Sequence, residues 1–217
     1  ALENNSTGAQ NVAVGDYTLH NNTTASFNTA LGQGSMLENT TGTRNMAIGA
    51  NAYQNSDTEN DNMAIGFNAM TTNTAGGTRN IAIGNYALDA LTSGDDNVAV
   101  GYDAGTAINT GSANVAIGAY ALDSTTSGDN NTAVGKVALG ANTTGSGNTA
   151  VGYASLDASS TASNNTAVGL RALSTNSTGA DNVAVGKNAA LANTTAASIV
   201  AIGSNTLESN TTGGENT

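Results

Sequence analysis

Asn114-Val115-Ala116-Ile117-Gly118 is one of twelve copies of a five-residue phrase, Asn-x-Ala-[Val/Ile/Leu]-Gly with Ile199 in place of Asn in the last, whose spacing decides the fold. The glycines that close the phrase are Gly15, Gly32, Gly49, Gly66, Gly84, Gly101, Gly118, Gly135, Gly152, Gly169, Gly186 and Gly203. Every step between them is seventeen residues except Gly66 to Gly84, which is eighteen. A unit this short cannot bury its own apolar face, so it must stack on neighbours of the same kind. The phrase reads as one turn of a repeating coil.

Numbering the Asn slot as position one makes the repeat a physical template. Position three is Ala in all twelve copies, position four is Val, Ile or Leu, and position two is Val, Ile, Met or Thr. Neighbouring side chains of an extended strand point to opposite faces, so positions two and four share one face and position three takes the other. Both faces are apolar, which predicts that both are covered, one by the coil interior and the other by a second chain. An Ala in every copy suits the close approach of another backbone. On that reading Ala47, Ala64, Ala82, Ala99, Ala116, Ala133, Ala150 and Ala167 form an inter-chain contact ladder.

Gly at position five supplies the corner. Position eight is small in every copy and position nine is Leu in seven, with Met36 and Met70 in two others, which predicts a second short strand. The remainder, for example Asn142-Thr143-Thr144-Gly145-Ser146-Gly147, is a loop of turn-forming residues. Two strands and one long turn per repeat describe an all-β parallel β-solenoid of about thirteen coils, roughly 60 Å long at the strand spacing. Like residues then stack into ladders of Asn, Ala and Val. Helix is disfavoured because Gly or Asn interrupts each apolar run within about seven residues, and the register held along the chain speaks against a disordered tract.

The template covers residues 1–217 as a single continuous domain, and both ends fall inside a repeat. Ala1-Leu2 corresponds to Ala87-Leu88, and Asn216-Thr217 opens a new phrase, so a segment of a longer protein is expected. The chain has no Pro, Cys or Trp, one His, and a net charge of -11 from five basic and sixteen acidic residues. That balance excludes the basic footprint that nucleic acid or an anionic membrane requires. No apolar run reaches the roughly twenty residues that span a bilayer, so no membrane insertion is expected from this segment.

Chemistry-bearing constellations are sparse, which predicts a protein that is not an enzyme and has no cofactor. His20 is the only candidate base and reads as a loop residue. Gly76-Gly77 lack the Lys and helix of a phosphate cradle and read as the bulge behind the single long step. Asp89, Asp123 and Asp157 share one loop position, and Asp95, Asp96, Asp129 and Asp181 lie just before the next Asn slot. Stacked carboxylates suit Ca²⁺, but the calcium-binding nonapeptide is absent and turn-forming acids on a soluble surface account for them, so no metal is expected. Phe67, Tyr102 and Tyr153 at position six, with Tyr17, Tyr86 and Tyr120 at position seven, form a stripe that suits either a surface ligand or an inter-chain contact.

The phrase Asn114-Val115-Ala116-Ile117-Gly118-Ala119-Tyr120-Ala121 resembles the head repeat of YadA-like trimeric autotransporter adhesins, and similar repeats occur in phage tail fibres and surface filaments. Its period is longer than that of the usual head by a Thr-Thr-Gly-type loop. The resemblance implies a left-handed parallel β-roll with three chains side by side. The expected function is a structural segment of an extracellular, cell-surface or virion fibre or adhesin, a homo-oligomeric rod, trimeric by preference and filamentous otherwise, facing a host receptor or glycan. Two alternatives remain: an ice-binding solenoid, for which Thr132, Thr149 and Thr166 supply the longest strand ladder of Thr, and, more remotely, a phage spike that degrades polysaccharide.

Overall fold

The computed structural model describes residues 1–73 and 75–216; Thr74 and Thr217, the second of which belongs to the terminal phrase, lie outside the described residues. Twelve three-residue strands run from β1 (Val12–Val14) to β12 (Val200–Ile202), one in each copy of the phrase, with no helix among the described residues. They pair in chain order into one parallel sheet, each strand with the next. Register is set by the repeat: β7 (Val115–Ile117) meets β8 (Thr132–Val134) with Val115 beside Thr132, Ala116 beside Ala133 and Ile117 beside Val134. The chain is a β-solenoid of about eleven turns between its first and last strands, slightly fewer than the thirteen expected.

Hydrogen bonds along the axis continue outside the sheet. In the coil that begins at Asn114, Val115 N donates to Asn131 O at 2.8 Å, Gly118 N to Val100 O at 2.8 Å, Leu122 N to Ala138 O at 3.1 Å and Thr126 N to Thr143 O at 2.9 Å. The Thr-rich loop is therefore stacked like the strand. Its hydroxyls add to the ladder, as where Thr143 Oγ1 donates to Ser160 O at 2.9 Å. Backbone groups that would be costly to bury unpaired find partners one coil away.

The expected second strand does not form. Positions seven and nine both lie in the left-handed region, as at Tyr120 (φ 59°) and Leu122 (φ 52°), and position seventeen does too, as at Ala113 (φ 57°). A backbone that visits this region at every other residue cannot pleat, so the Leu segment is a run of turns. Left-handed Leu costs about 1–2 kcal/mol per residue. Its side chain offsets that strain by filling the core: Leu88, Leu122, Leu139, Leu156 and Leu173 are all fully buried.

Position three points into this same core. Eleven of the twelve alanines there are no more than 1% exposed within the single chain. Ala47, Ala64, Ala82, Ala99, Ala116, Ala133, Ala150 and Ala167 are buried in their own chain's core with its Leu, Met and Tyr side chains, so they do not form the inter-chain ladder expected of them. The coil is so thin that only a methyl fits between strand and Leu turn, which explains the Ala without a partner chain. The face left uncovered is that of positions two and four.

The Asn slot fixes the spacing of the coils. Asn114 Oδ1 accepts the backbone N–H of Asn131 at 3.0 Å and its side-chain Nδ2 at 3.1 Å, while Asn114 Nδ2 donates to Gly128 O at 2.8 Å. The same backbone-to-side-chain bond recurs from Asn28 on Asn11 to Ile199 on Asn182. A second buried series occupies position twelve, where Asn22, Asn39, Asn142, Asn176 and Asn193 each donate to the carbonyl three residues on. Position twelve is Leu91 and Ile108 in two coils and Ser56, Thr125 and Ser159 in three others; where Ile108 stands, Gly105 takes the Leu slot. A Cβ on Gly105 would lie 3.0 Å from Ile108 Cδ1, so the Ile fills the missing Leu's space.

The single long step is absorbed in the loop, as Gly76-Gly77 suggested. Gly76 has φ 104° with open space where a side chain would be, and Gly77 O accepts from both Asn62 and Asn73 in the usual way. Buried Glu59 ties this loop down, accepting N–H bonds from Asp57, Thr58 and Gly76 at 2.9, 3.0 and 3.1 Å.

Two substitutions distinguish the roles of small residues. Gly118 has φ 126°, and a methyl there would sit 2.7 Å from the Gly135 carbonyl, so Gly118→Ala is expected to cost about 3 kcal/mol in chemical denaturation. Exposed Ala113, strained at φ 57°, gains about 1 kcal/mol on replacement by Gly in the same measurement.

Candidate functional site

The outward face of the sheet is the most extensive candidate surface. Positions two and four carry Val12, Thr29, Met46, Met63 and Ile81 through Val200 in one row, and Val14, Leu31, Ile48, Ile65 and Ile83 through Ile202 in the other. Neither row contains a charged residue. Burial is partial throughout, and Leu31, Ile83 and Ile117 count among the exposed large apolar side chains. The two rows make an uncharged, mainly apolar strip along roughly 50 Å of axis. Within it, Thr132, Thr149 and Thr166 are in direct register, beside Val134, Val151 and Val168.

Past the glycine corner, the structure brings four of the six predicted aromatic residues together. Phe67 meets Tyr86 at a ring separation of 5.5 Å, Tyr86 meets Tyr102 at 6.0 Å, and Tyr102 meets Tyr120 at 5.5 Å, all edge to face. The row zigzags between positions six and seven, which is why rings at different template positions touch. Phe67, Tyr102 and Tyr120 remain 36–46% exposed. Tyr153 and Tyr17 stand apart; Tyr17 lies 5.3 Å from the His20 ring. The Asp103 charge beside Tyr102 holds its phenol above the usual range.

Two further aromatic residues, Tyr53 and exposed Phe27, lie outside the stripe that the sequence predicts. Tyr53 takes the Leu slot, is fully buried, and receives hydrogen bonds on its hydroxyl from Asn62 at 2.6 Å and Asn73 at 3.2 Å. Burial pushes its phenol far upward, so it stays neutral and structural. Alignment to position nine, where Met and Leu prevail, was the available signal.

The acids are mostly engaged by the fold. Asp95 Oδ1 accepts Thr78 N at 2.7 Å, Asp129 Oδ1 accepts Ser112 N at 2.7 Å, and Asp89 Oδ1 accepts the Thr106 hydroxyl at 2.6 Å. Arg44 reaches Asp61, and Arg79 reaches Asp96, through paired guanidinium bonds of 2.6 and 2.8 Å. Each Arg holds its exposed carboxyl below the usual range. Asp123 and Asp157 flank the space left by Gly140, whose added Cβ would lie 3.4 and 2.9 Å from their Oδ1 atoms. Burial raises the pKa of both, with Asp157 adding to the effect on Asp123. Among the described residues no three His, Cys, Asp or Glu side chains converge as a metal site would require. His20 contacts Glu3 at 2.9 Å and Asn21 at 2.8 Å, and the hollow lined by Val200, Ile202 and Leu207 is the end face of the last coil.

The chain matches no protein-family model, no curated protein and no solved structure.

A carboxyl whose folded pKa is raised opposes folding above that pKa, and the penalty disappears as pH falls through it. Asp157→Asn is therefore expected to raise the melting temperature slightly at neutral pH. The gain should vanish below the carboxylate range; a gain that is constant with pH would assign the effect to packing instead.

Proposed function

We propose that this chain is a structural segment of an extracellular fibre or adhesin, on a cell surface or a virion, and that it works as a rigid rod assembled from several copies side by side. The observation that carries this reading is the uncharged apolar strip of positions two and four, which runs the whole length of the sheet. A monomeric rod would expose it to water along every coil. Lateral association buries it, and a three-fold arrangement, as the resemblance to trimeric adhesin heads implies, lets each chain cover the strips of the others. The role is structural rather than catalytic on this reading, supported by acids such as Asp95 and Asp129 and by the one His, which are engaged in contacts between coils.

The test uses outward and inward substitutions on two adjacent strands, β7 and β8. Ile117→Lys and Val134→Lys should leave the circular dichroism spectrum unchanged but reduce the mass in sedimentation equilibrium to that of one chain. Ala116→Lys buries a charge in a space that fits a methyl, and should abolish folding altogether. An assembly that survives both outward Lys changes would refute the strip as the contact.

A second reading, ice binding, is favoured by one observation: Thr132, Thr149 and Thr166 stand in register on the outward face of the sheet rather than in the loops. Such an array presents hydroxyls and methyls at the strand repeat. Thermal hysteresis that is lost in Thr149→Lys would support it, and a freezing point equal to the melting point would remove it.

A further inference from the structure

We propose that the row Phe67, Tyr86, Tyr102 and Tyr120 is a binding platform for an uncharged polysaccharide chain. The proposal rests on the reading of this protein as a rod that displays its surface, and names what one part of that surface takes. Three features of the row point to this ligand.

The first is rigidity. Each ring is held by the edge of the next at 5.5–6.0 Å, so the platform is ordered before any ligand arrives. Edge-to-face pairs contribute about 0.5–1.5 kcal/mol each beyond area burial. A preformed surface avoids the ordering cost that weakens binding by flexible side chains.

The second is the mixture of ring faces with planar polar groups. Asn68, Asn85 and Asp103 share positions six and seven with the rings, and Asn85 is itself fixed by accepting the Phe67 N–H at 3.0 Å. A pyranose presents axial C–H groups on its face and hydroxyls around its rim, so rings take the face and amides or carboxylates take the rim. Phe67 and Tyr102 occupy the same template position two coils apart, roughly 10 Å along the axis, which is about the length of a disaccharide in an extended chain.

The third is charge. Between Ala50 and Tyr120, positions six and seven contain no Lys or Arg, the nearest being Lys136 one coil beyond the row, while Asp103 lies in the row with its pKa raised by burial and by the nearby Asp89 charge. Sulfated, phosphorylated or sialylated glycans would meet repulsion. A second copy seated on this row would bring its own Asp103 against the same carboxylate and is a poor occupant of the row for the same reason. An uncharged glycan meets no such barrier.

The experiment titrates the full chain with cellohexaose and chitohexaose, with a heparin hexasaccharide as the anionic control, following intrinsic Tyr emission and calorimetric heat. Binding of at least one neutral hexasaccharide is expected, with none of heparin. Tyr102→Ser and Tyr120→Ser should each weaken it about tenfold or more, while Tyr153→Ser, outside the row, leaves it unchanged. No binding of either neutral hexasaccharide, equal binding by the Tyr102 and Tyr120 variants, or a preference for heparin would each overturn the proposal. Sedimentation of the same samples keeps the two readings apart. A Tyr102→Ser chain with unchanged mass but no glycan affinity upholds both, and one that loses its assembly shows the row to be a chain contact instead.

Discussion

Axial register is the constraint on which the rest of the structure depends. Each coil is held one strand spacing from the next by the side-chain amide at position one, which accepts the next coil's backbone N–H and passes its own N–H to a carbonyl across the core. With register set, the strand, the Leu turn and the Thr loop each stack on their own counterparts. Backbone bonds then run along the axis at all three sides of the coil. This offsets a recurring penalty, because three positions in most coils hold ordinary residues in the left-handed region. No isolated coil would keep that conformation; only stacking imposes it.

The same logic explains which irregularities the rod tolerates. Gly105 and Ile108 exchange bulk between the Leu and Asn slots of one coil. Ile199 replaces the Asn of position one in the last described phrase, and it keeps its backbone bond to Asn182 at 3.1 Å. Tyr53 is accommodated because two neighbouring Asn amides reach its hydroxyl. The carbonyl oxygens of Asn39, Asn73 and Asn142 show the limit: the next rung after each is Ser or Leu, and no donor meets them.

Periodicity made the coil, the strand at Val115–Ile117 and the corner at Gly118 legible in the sequence, because these depend on residue type at fixed spacing. Facing was harder to read. Both faces of the strand are apolar, so alternation could not say which was inside, and the invariant Ala was assigned to a neighbour chain when it marks a core one methyl thick. Leu122 suggested a second strand, since nothing in an Ala-Leu pair announces a left-handed backbone; that conformation is imposed by the turn's need to bring Leu inward. The aromatic stripe was visible as a set of residues, but the contact between positions six and seven follows from the corner geometry. Tyr17 and Tyr153 bear the same signal and lie outside the row.

The resulting rod has an inner face of Ala, Leu and Asn that specifies the coil, and outer faces free to vary with what the rod meets. Residue-resolved amide hydrogen exchange tests this account most directly. The backbone amides of Asn97, Asn114, Asn131 and Asn148, bonded to the preceding Asn side chain at 2.9–3.0 Å, should be protected as strongly as those of Val98, Val115, Thr132 and Thr149 in the strands. Exchange of the Asn amides at the rate of an unstructured chain, with the strand amides still protected, would contradict the claim that the asparagine ladder sets the register.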